Sequence, residues 1–198
     1  MAHLNYGLNS KQLRYANHII DLVANVSQVP KKMTKLLDHL YLGAINDAMD
    51  VDHLKEAGIT HIINTVHNID GENETGAEFY GDEFIYMGFF SEDREDYPIL
   101  ENFEKVQNFI NSARDQNGKC LIHCMAGINR SGCLATAYYM IEKDIGPVTA
   151  VSEVFEKRGV LLTNKGFIKQ LVKFSVDRKL LTKDKHLLRH STINNCSI

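Results

Sequence analysis

Short apolar runs alternate with stretches of helical period along most of this chain, and that alternation narrows its fold more than any other feature. The runs are LLDHLYLGAI at 36–45, ITHIINTV at 59–66, EFIYMGFF at 83–90 and KCLIHC at 119–124. Each is brief, mostly apolar and bounded by turn formers or charged residues, the pattern of strands buried on both faces. Helical spacing marks DAMDVDHLKEAG at 47–58, closed by Gly58, and ILENFEKVQNFINSARDQNG at 99–118, stopped by Gly118. It marks SGCLATAYYMIEKD at 131–144, PVTAVSEVFEKRG at 147–159 opened by Pro147, and KGFIKQLVKFSVDRKL at 165–180. This order, with no internal repeat, predicts an α/β domain with a central, mostly parallel sheet flanked by helices.

The ends and one long insertion fall outside that pattern. SKQLRYANHIIDLVANV at 10–26 places Leu13, Ala16, Ile19, Ile20 and Val23 on one helical face, so residues 1–33 are expected to form a helical extension packed on the domain. NIDGENETGAEFYGD at 68–82 has no apolar period and is predicted as a loop. The main domain is expected over 34–180, and 181–198 is expected to be a flexible tail. A chain of 198 residues with 44% hydrophobic content supports one substantial core.

A net charge of −3 excludes bulk attraction to nucleic acid or anionic lipid, so any anion site must be local. The polar N-terminus offers no signal-peptide core and no run is long enough to span a bilayer, which predicts a cytoplasmic or nuclear protein and no membrane partner. In that compartment Cys120, Cys124, Cys133 and Cys196 are read as free thiols. The histidines at 39, 53, 61 and 67 lack Cys or carboxylate at ligand spacing, so no metal site is expected.

The stretch HCMAGINRSG at 123–132 carries the chemistry. KCLIHC delivers Cys124 at the carboxyl end of a strand, where open α/β sheets bind ligands. Met125, Ala126, Gly127, Ile128 and Asn129 then form a short loop ahead of a helix, and small residues there let backbone N–H groups converge on a tetrahedral anion. A helix N-terminus and a cation favour the thiolate form of cysteine, the nucleophilic one. Arg130 can hold two phosphate oxygens in a bidentate pair. Ser131 puts a hydroxyl beside the sulfur, and His123 is read as an orienting group. A nucleotide-binding loop is excluded, because CLAT follows Gly132 where Lys and Ser or Thr would be needed.

HCMAGINRSG resembles the signature loop of the cysteine-based protein tyrosine phosphatases, with the Ala-Gly core of the dual-specificity branch, whose atypical small members AEFYGDEFIYMG resembles. LYLGAINDAMDVDHLKEAGITHIINTV, AEFYGDEFIYMG and TNKGFIKQL resemble further stretches of that branch, so the similarity extends over about 34–175. The resemblance implies a dual-specificity phosphatase-like fold and a phosphocysteine intermediate, with no cofactor or metal. It also implies a carboxylic acid that protonates the leaving oxygen. SEDREDYP offers Glu92, Asp93, Glu95 and Asp96, and the family's register selects Asp93; Asp96 is read as a helix cap. By the same resemblance Asn164 supports the loop from behind, and Arg158 offers a basic contact near the pocket or lies exposed. The chain departs from the family at Asn129, where Ser is more frequent, and at Thr163, where Pro is usual.

The implied partners are phosphoprotein substrates carrying phosphotyrosine, phosphoserine or phosphothreonine. An RNA or nucleotide 5′-phosphatase is a second reading, disfavoured by the acidic charge, and a non-catalytic phosphoprotein-binding module a third. An accessible Cys124 thiolate also raises the expectation that Cys120 or Cys133 resolves its oxidised form as a disulfide.

Overall fold

In a computed structural model that describes residues 6–26, 30–67 and 75–184, the strands assemble into one five-stranded sheet. The strands are β1 Thr34–Leu37, β2 Leu40–Gly43, β3 His61–Asn64, β4 Ile85–Gly88 and β5 Cys120–His123, in the order β1-β2-β5-β3-β4. All neighbours are parallel except β1, which runs antiparallel to β2. β5 is central, and its four residues are buried. Successive side chains leave a strand on opposite faces. Cys120 and Ile122 accordingly join the larger core cluster, while Leu121 joins the smaller one with Ile62, Leu54 and Tyr80.

The larger cluster lies under five helices, α1 Ser10–Val23, α5 Phe103–Asp115, α6 Arg130–Lys143, α7 Pro147–Arg158 and α8 Lys165–Asp177. The opposite face carries the short helices α2 Ile45–Met49, α3 Val51–Ala57 and α4 Ala77–Tyr80. α6 is buried on every side from Arg130 to Met140, which explains why its sequence reads as apolar rather than amphipathic. α1 packs against α7 and α8 through Ala16, Ile19 and Val23. Each large apolar side chain buried there is worth about 1.5–3 kcal/mol. Asn9 and Gln12 close its first turn as a reciprocal capping box, with bonds of 3.0 and 2.8 Å.

Four local expectations differ from the structure. The run at 36–45 is a hairpin and not one strand: Leu37 pairs with Leu40, and Asp38 and His39 make the turn. The segment at 47–58 is two helices, because Asp50 leaves helical geometry (φ −85°, ψ 76°) and its carboxylate accepts a bond from the His53 amide at 3.1 Å to cap α3. The predicted loop contains α4, anchored where the Tyr80 hydroxyl donates to the Ala48 carbonyl at 2.9 Å; residues 68–74 of that loop lie outside the described residues. The C-terminal segment expected to be flexible begins with a turn of 3-10 helix, Leu181–Lys183, and the buried Asp184. Residues 185–198 lie outside the described residues.

Candidate active site

The parallel register places Gly43, His123 and Asn64 side by side at the carboxyl edge of the sheet, so Cys124 leaves from its centre. Cys124 is 2% exposed. The loop after it is shaped from outside. The Met125 carbonyl accepts from the Ile45 amide at 3.1 Å and the Ile128 carbonyl from the Leu162 amide at 3.0 Å. Between them, the Arg158 guanidinium donates to the Gly127 carbonyl at 3.3 Å and the Ala126 carbonyl at 3.5 Å. Because a trans peptide unit points its C=O and N–H in opposite directions, four carbonyls turned outward aim the N–H groups of residues 126–129 inward. One of these is seen directly, the Gly127 N–H pointing to Cys124 Sγ at 3.2 Å.

Gly127 has φ +65°, and a Cβ there would come within 2.4 Å of the Arg158 guanidinium and 2.5 Å of the Gly43 carbonyl oxygen. The position therefore requires glycine on both conformational and steric grounds. Ser131 Oγ reaches Cys124 Sγ at 3.2 Å, so the sulfur receives two donors of hydrogen bonds. Arg130 opens α6 and is 9% exposed; one terminal nitrogen donates to the Ser91 carbonyl at 3.3 Å, while its buried Nε has no partner among the described residues. Ser91 in turn donates to the Thr65 carbonyl, tying the loop that carries the acidic cluster to the sheet.

Within that cluster the geometry separates the four acids. Glu92 and Asp96 pair with Arg94, at 2.9 and 3.1 Å, and Glu95 points to solvent, so Asp96 does not cap the following helix as expected. Asp93 alone faces the phosphate loop. Asn129 Nδ2 donates to one carboxylate oxygen at 2.9 Å and Asn164 Nδ2 to the other at 2.8 Å. Asn164 also caps α8, its Oδ1 accepting from the Gly166 and Phe167 amides at 3.0 and 3.2 Å. Asn129 Oδ1 accepts from the Asn164 amide at 3.0 Å and from Thr163 Oγ1 at 3.2 Å.

Arg158 is placed differently from either expectation. At 3% exposure it is neither on the surface nor at the pocket mouth, but behind the loop, where it also donates to the Leu42 and Lys32 carbonyls and Thr34 Oγ1. Burial lowers its pKa from the usual arginine value. The His123 ring is fully buried, and burial pushes its pKa down to about 4 against the opposing pull of the Cys124 backbone, so the ring is neutral. Its backbone does the anchoring: its carbonyl accepts from Thr65 N at 3.1 Å and Thr65 Oγ1 at 2.9 Å.

The thiols expected to resolve an oxidised Cys124 are poorly placed. Cys120 sits at the other end of β5, about 13 Å along the strand at 3.3 Å per residue, beyond disulfide reach. Cys133 is fully buried and directed at the Phe167 carbonyl. Burial raises the pKa of both. Sequence reasoning passed over Ser91 and noted Thr163 only as a departure; both act through contacts with residues distant in the chain.

Among the described residues no three His, Cys, Asp or Glu side chains gather as a metal site, and no helix is long and apolar enough to cross a membrane.

Residues 40–177 match the family model described as dual specificity phosphatase, catalytic domain. The chain is 36% identical over 142 residues to dual specificity protein phosphatase 15 of Mus musculus, covering 72% of this chain and 57% of that one. It is 32% identical over 143 residues to protein phosphatase Slingshot homolog 1 of Homo sapiens, covering 72% of this chain and 13% of that one. It thus spans between 13% and 57% of the length of these curated relatives. The crystal structure of DUSP15 superposes with a TM-score of 0.66 at 32% identity, covering 81% of this chain and 97% of that one. That of human tyrosine phosphatase-like serine/threonine/tyrosine-interacting protein gives 0.69 at 28% identity, with 76% and 99% covered. Together with the sheet order and the loop from Cys124 to Arg130, these matches place the chain among the atypical dual-specificity phosphatases of the cysteine-based protein tyrosine phosphatase superfamily.

Proposed function

We propose that this protein hydrolyses phosphotyrosine and phosphoserine or phosphothreonine in proteins through a phosphocysteine intermediate. The observation that carries the reading is the loop itself: Cys124 Sγ takes bonds from the Gly127 amide and Ser131 Oγ, Asn129 of the same loop tethers the Asp93 carboxylate, and Arg130 follows directly at the start of α6. In the first step Cys124 Sγ attacks phosphorus, and the bond to the substrate oxygen breaks as Asp93 gives that oxygen its proton. In the second, Asp93 takes a proton from water, whose oxygen attacks phosphorus and expels the Cys124 thiolate. Ser131 Oγ, already 3.2 Å from the sulfur, stabilises the departing thiolate. The loop N–H groups and Arg130 hold the equatorial oxygens in both steps.

The test is turnover of phosphotyrosyl and phosphothreonyl peptides, with a 5′-triphosphate RNA in parallel, by wild type, Cys124→Ser and Asp93→Asn. Peptide turnover abolished by Cys124→Ser and reduced by about 100-fold or more in Asp93→Asn is the expected result. Turnover of RNA alone would assign a 5′-phosphatase. Tight peptide binding without turnover would assign a binding module.

A further inference from the structure

Asp93 is exposed, and an exposed aspartate ordinarily samples several rotamers, only some of which place its proton over a phosphate ester. Here both carboxylate oxygens are already held, one by Asn129 Nδ2 and one by Asn164 Nδ2. An amide donates only from its nitrogen end, so each bond depends on how that amide is turned. Asn164 is fixed because its oxygen serves two amides at the start of α8. Asn129 is fixed by the Asn164 amide and the Thr163 hydroxyl, both donating to its oxygen. With the oxygen end occupied by two donors, the nitrogen end must face Asp93.

We propose that Thr163 is a positioning residue for the general acid: its hydroxyl locks the Asn129 amide, and Asn129 and Asn164 together hold the Asp93 carboxyl over the phosphate loop before substrate arrives. Each oxygen gives one lone pair to an amide and keeps another free, a position where a proton can sit without breaking the bracket. Orientation is then settled in the free enzyme and costs nothing in the transition state. The inference rests on the phosphatase reading above and extends it to substrate class. Leaving oxygens that depart poorly without a proton, as those of serine and threonine do, depend most on the bracket.

The test compares kcat/KM for p-nitrophenyl phosphate, whose leaving group needs little protonation, with that for phenyl phosphate, whose leaving group needs more. Wild type is measured with Thr163→Val, Thr163→Ser and Asn129→Ala, each also in an Asp93→Ala background. The ratio of the two rates is expected to rise about threefold in Thr163→Val and about tenfold in Asn129→Ala, fractions of the 100-fold or more available to a general acid. Thr163→Ser restores the wild-type ratio, and Thr163→Val has no further effect once Asp93 is alanine. Equal losses on both substrates, or a Thr163→Val effect that persists without Asp93, would overturn the assignment while leaving the phosphatase reading intact. Wild type that turns over neither ester would overturn both.

Discussion

Replacing Gly166 with alanine should slow catalysis although it adds only a methyl group to a helix. Within a helix that change ordinarily stabilises by up to about 1 kcal/mol, because alanine loses less conformational freedom on folding. Here the new Cβ would lie 2.0 Å from the Glu95 carbonyl oxygen and 2.5 Å from the Glu95 carbonyl carbon and Cα. Ordinary contact begins near 3.4 Å, so the Glu95 backbone must retreat by about 1.4 Å. That backbone cannot swing aside like a flexible side chain, since Tyr6 donates to the same carbonyl and Gln170 Nε2 holds the Tyr97 carbonyl at 2.8 Å. Overpacking of this kind costs about 1–3 kcal/mol, enough to cancel the gain in propensity. Asp93 lies two residues away, and a shift of about 1 Å in a reacting group can cost about 100-fold in rate. No atom of the phosphate loop is among the three nearest neighbours of the new Cβ, all of which belong to Glu95. We therefore expect kcat for phenyl phosphate to fall by about 10- to 100-fold and the melting temperature to drop. The inhibition constant of tungstate, a tetrahedral oxyanion that needs only the loop, should stay within about twofold. A higher melting temperature with unchanged kcat would refute the reasoning, because propensity would then have prevailed and Glu95 could not be packed against α8.

Two further outcomes follow from buried groups. Arg158→Lys should weaken tungstate inhibition by about tenfold, because a single ammonium cannot serve carbonyls on both sides of a planar fork; unchanged affinity would mean that the rear bonds do not order the loop. His123 is neutral when folded, with a pKa pushed by burial from 6.5 to about 4. Above 6.5 it adds no pH dependence, and below it the unfolded chain takes up a proton that the folded ring refuses. Stability is thus lost as pH falls toward about 4, by up to about 3 kcal/mol. Urea unfolding at about pH 7 and pH 4.5 should show a smaller loss in His123→Asn than in wild type, and equal losses would refute the assignment.

The sheet was legible because β3 and β5 are buried on both faces and must read as nearly continuous apolar runs. The hairpin was not, since Asp38 and His39 interrupt the run at 36–45 so briefly that it scans as one strand. Likewise Asp50 looked like a surface residue of one helix, although aspartate at that point is also what starts a new one. At the site, Cys124, Arg130 and Ser131 fall within one short stretch, so their convergence was readable from spacing alone. Asn129 and Thr163 stood out singly as departures from the family, but their mutual bond joins positions 34 apart and exists only once α6 and α8 are packed. Arg158 carried a signal that went unused: with Val151 and Val154 it falls on the buried stripe of α7, where an unpaired guanidinium would be too costly to leave without partners.

α7 also has a mechanical reading. One end carries Arg158; at the other, the buried Asp184 accepts from the Val148 and Thr149 amides at 2.9 and 3.0 Å and from Thr149 Oγ1 at 2.8 Å. On the opposite flank, Arg158 itself is gripped by Lys32 and Thr34. All three of these anchors lie outside the span 40–177 that the family model matches. A protein trimmed to that span would keep Cys124, Arg130, Ser131 and Asp93, and Arg158 would keep Leu42 and the loop carbonyls, yet the Asp184 cap of α7 and the Lys32 and Thr34 grips on Arg158 would be lost. A protein that keeps every one of these bonds to α7 reaches from Lys32 to Asp184, longer on both sides than the span the family model matches.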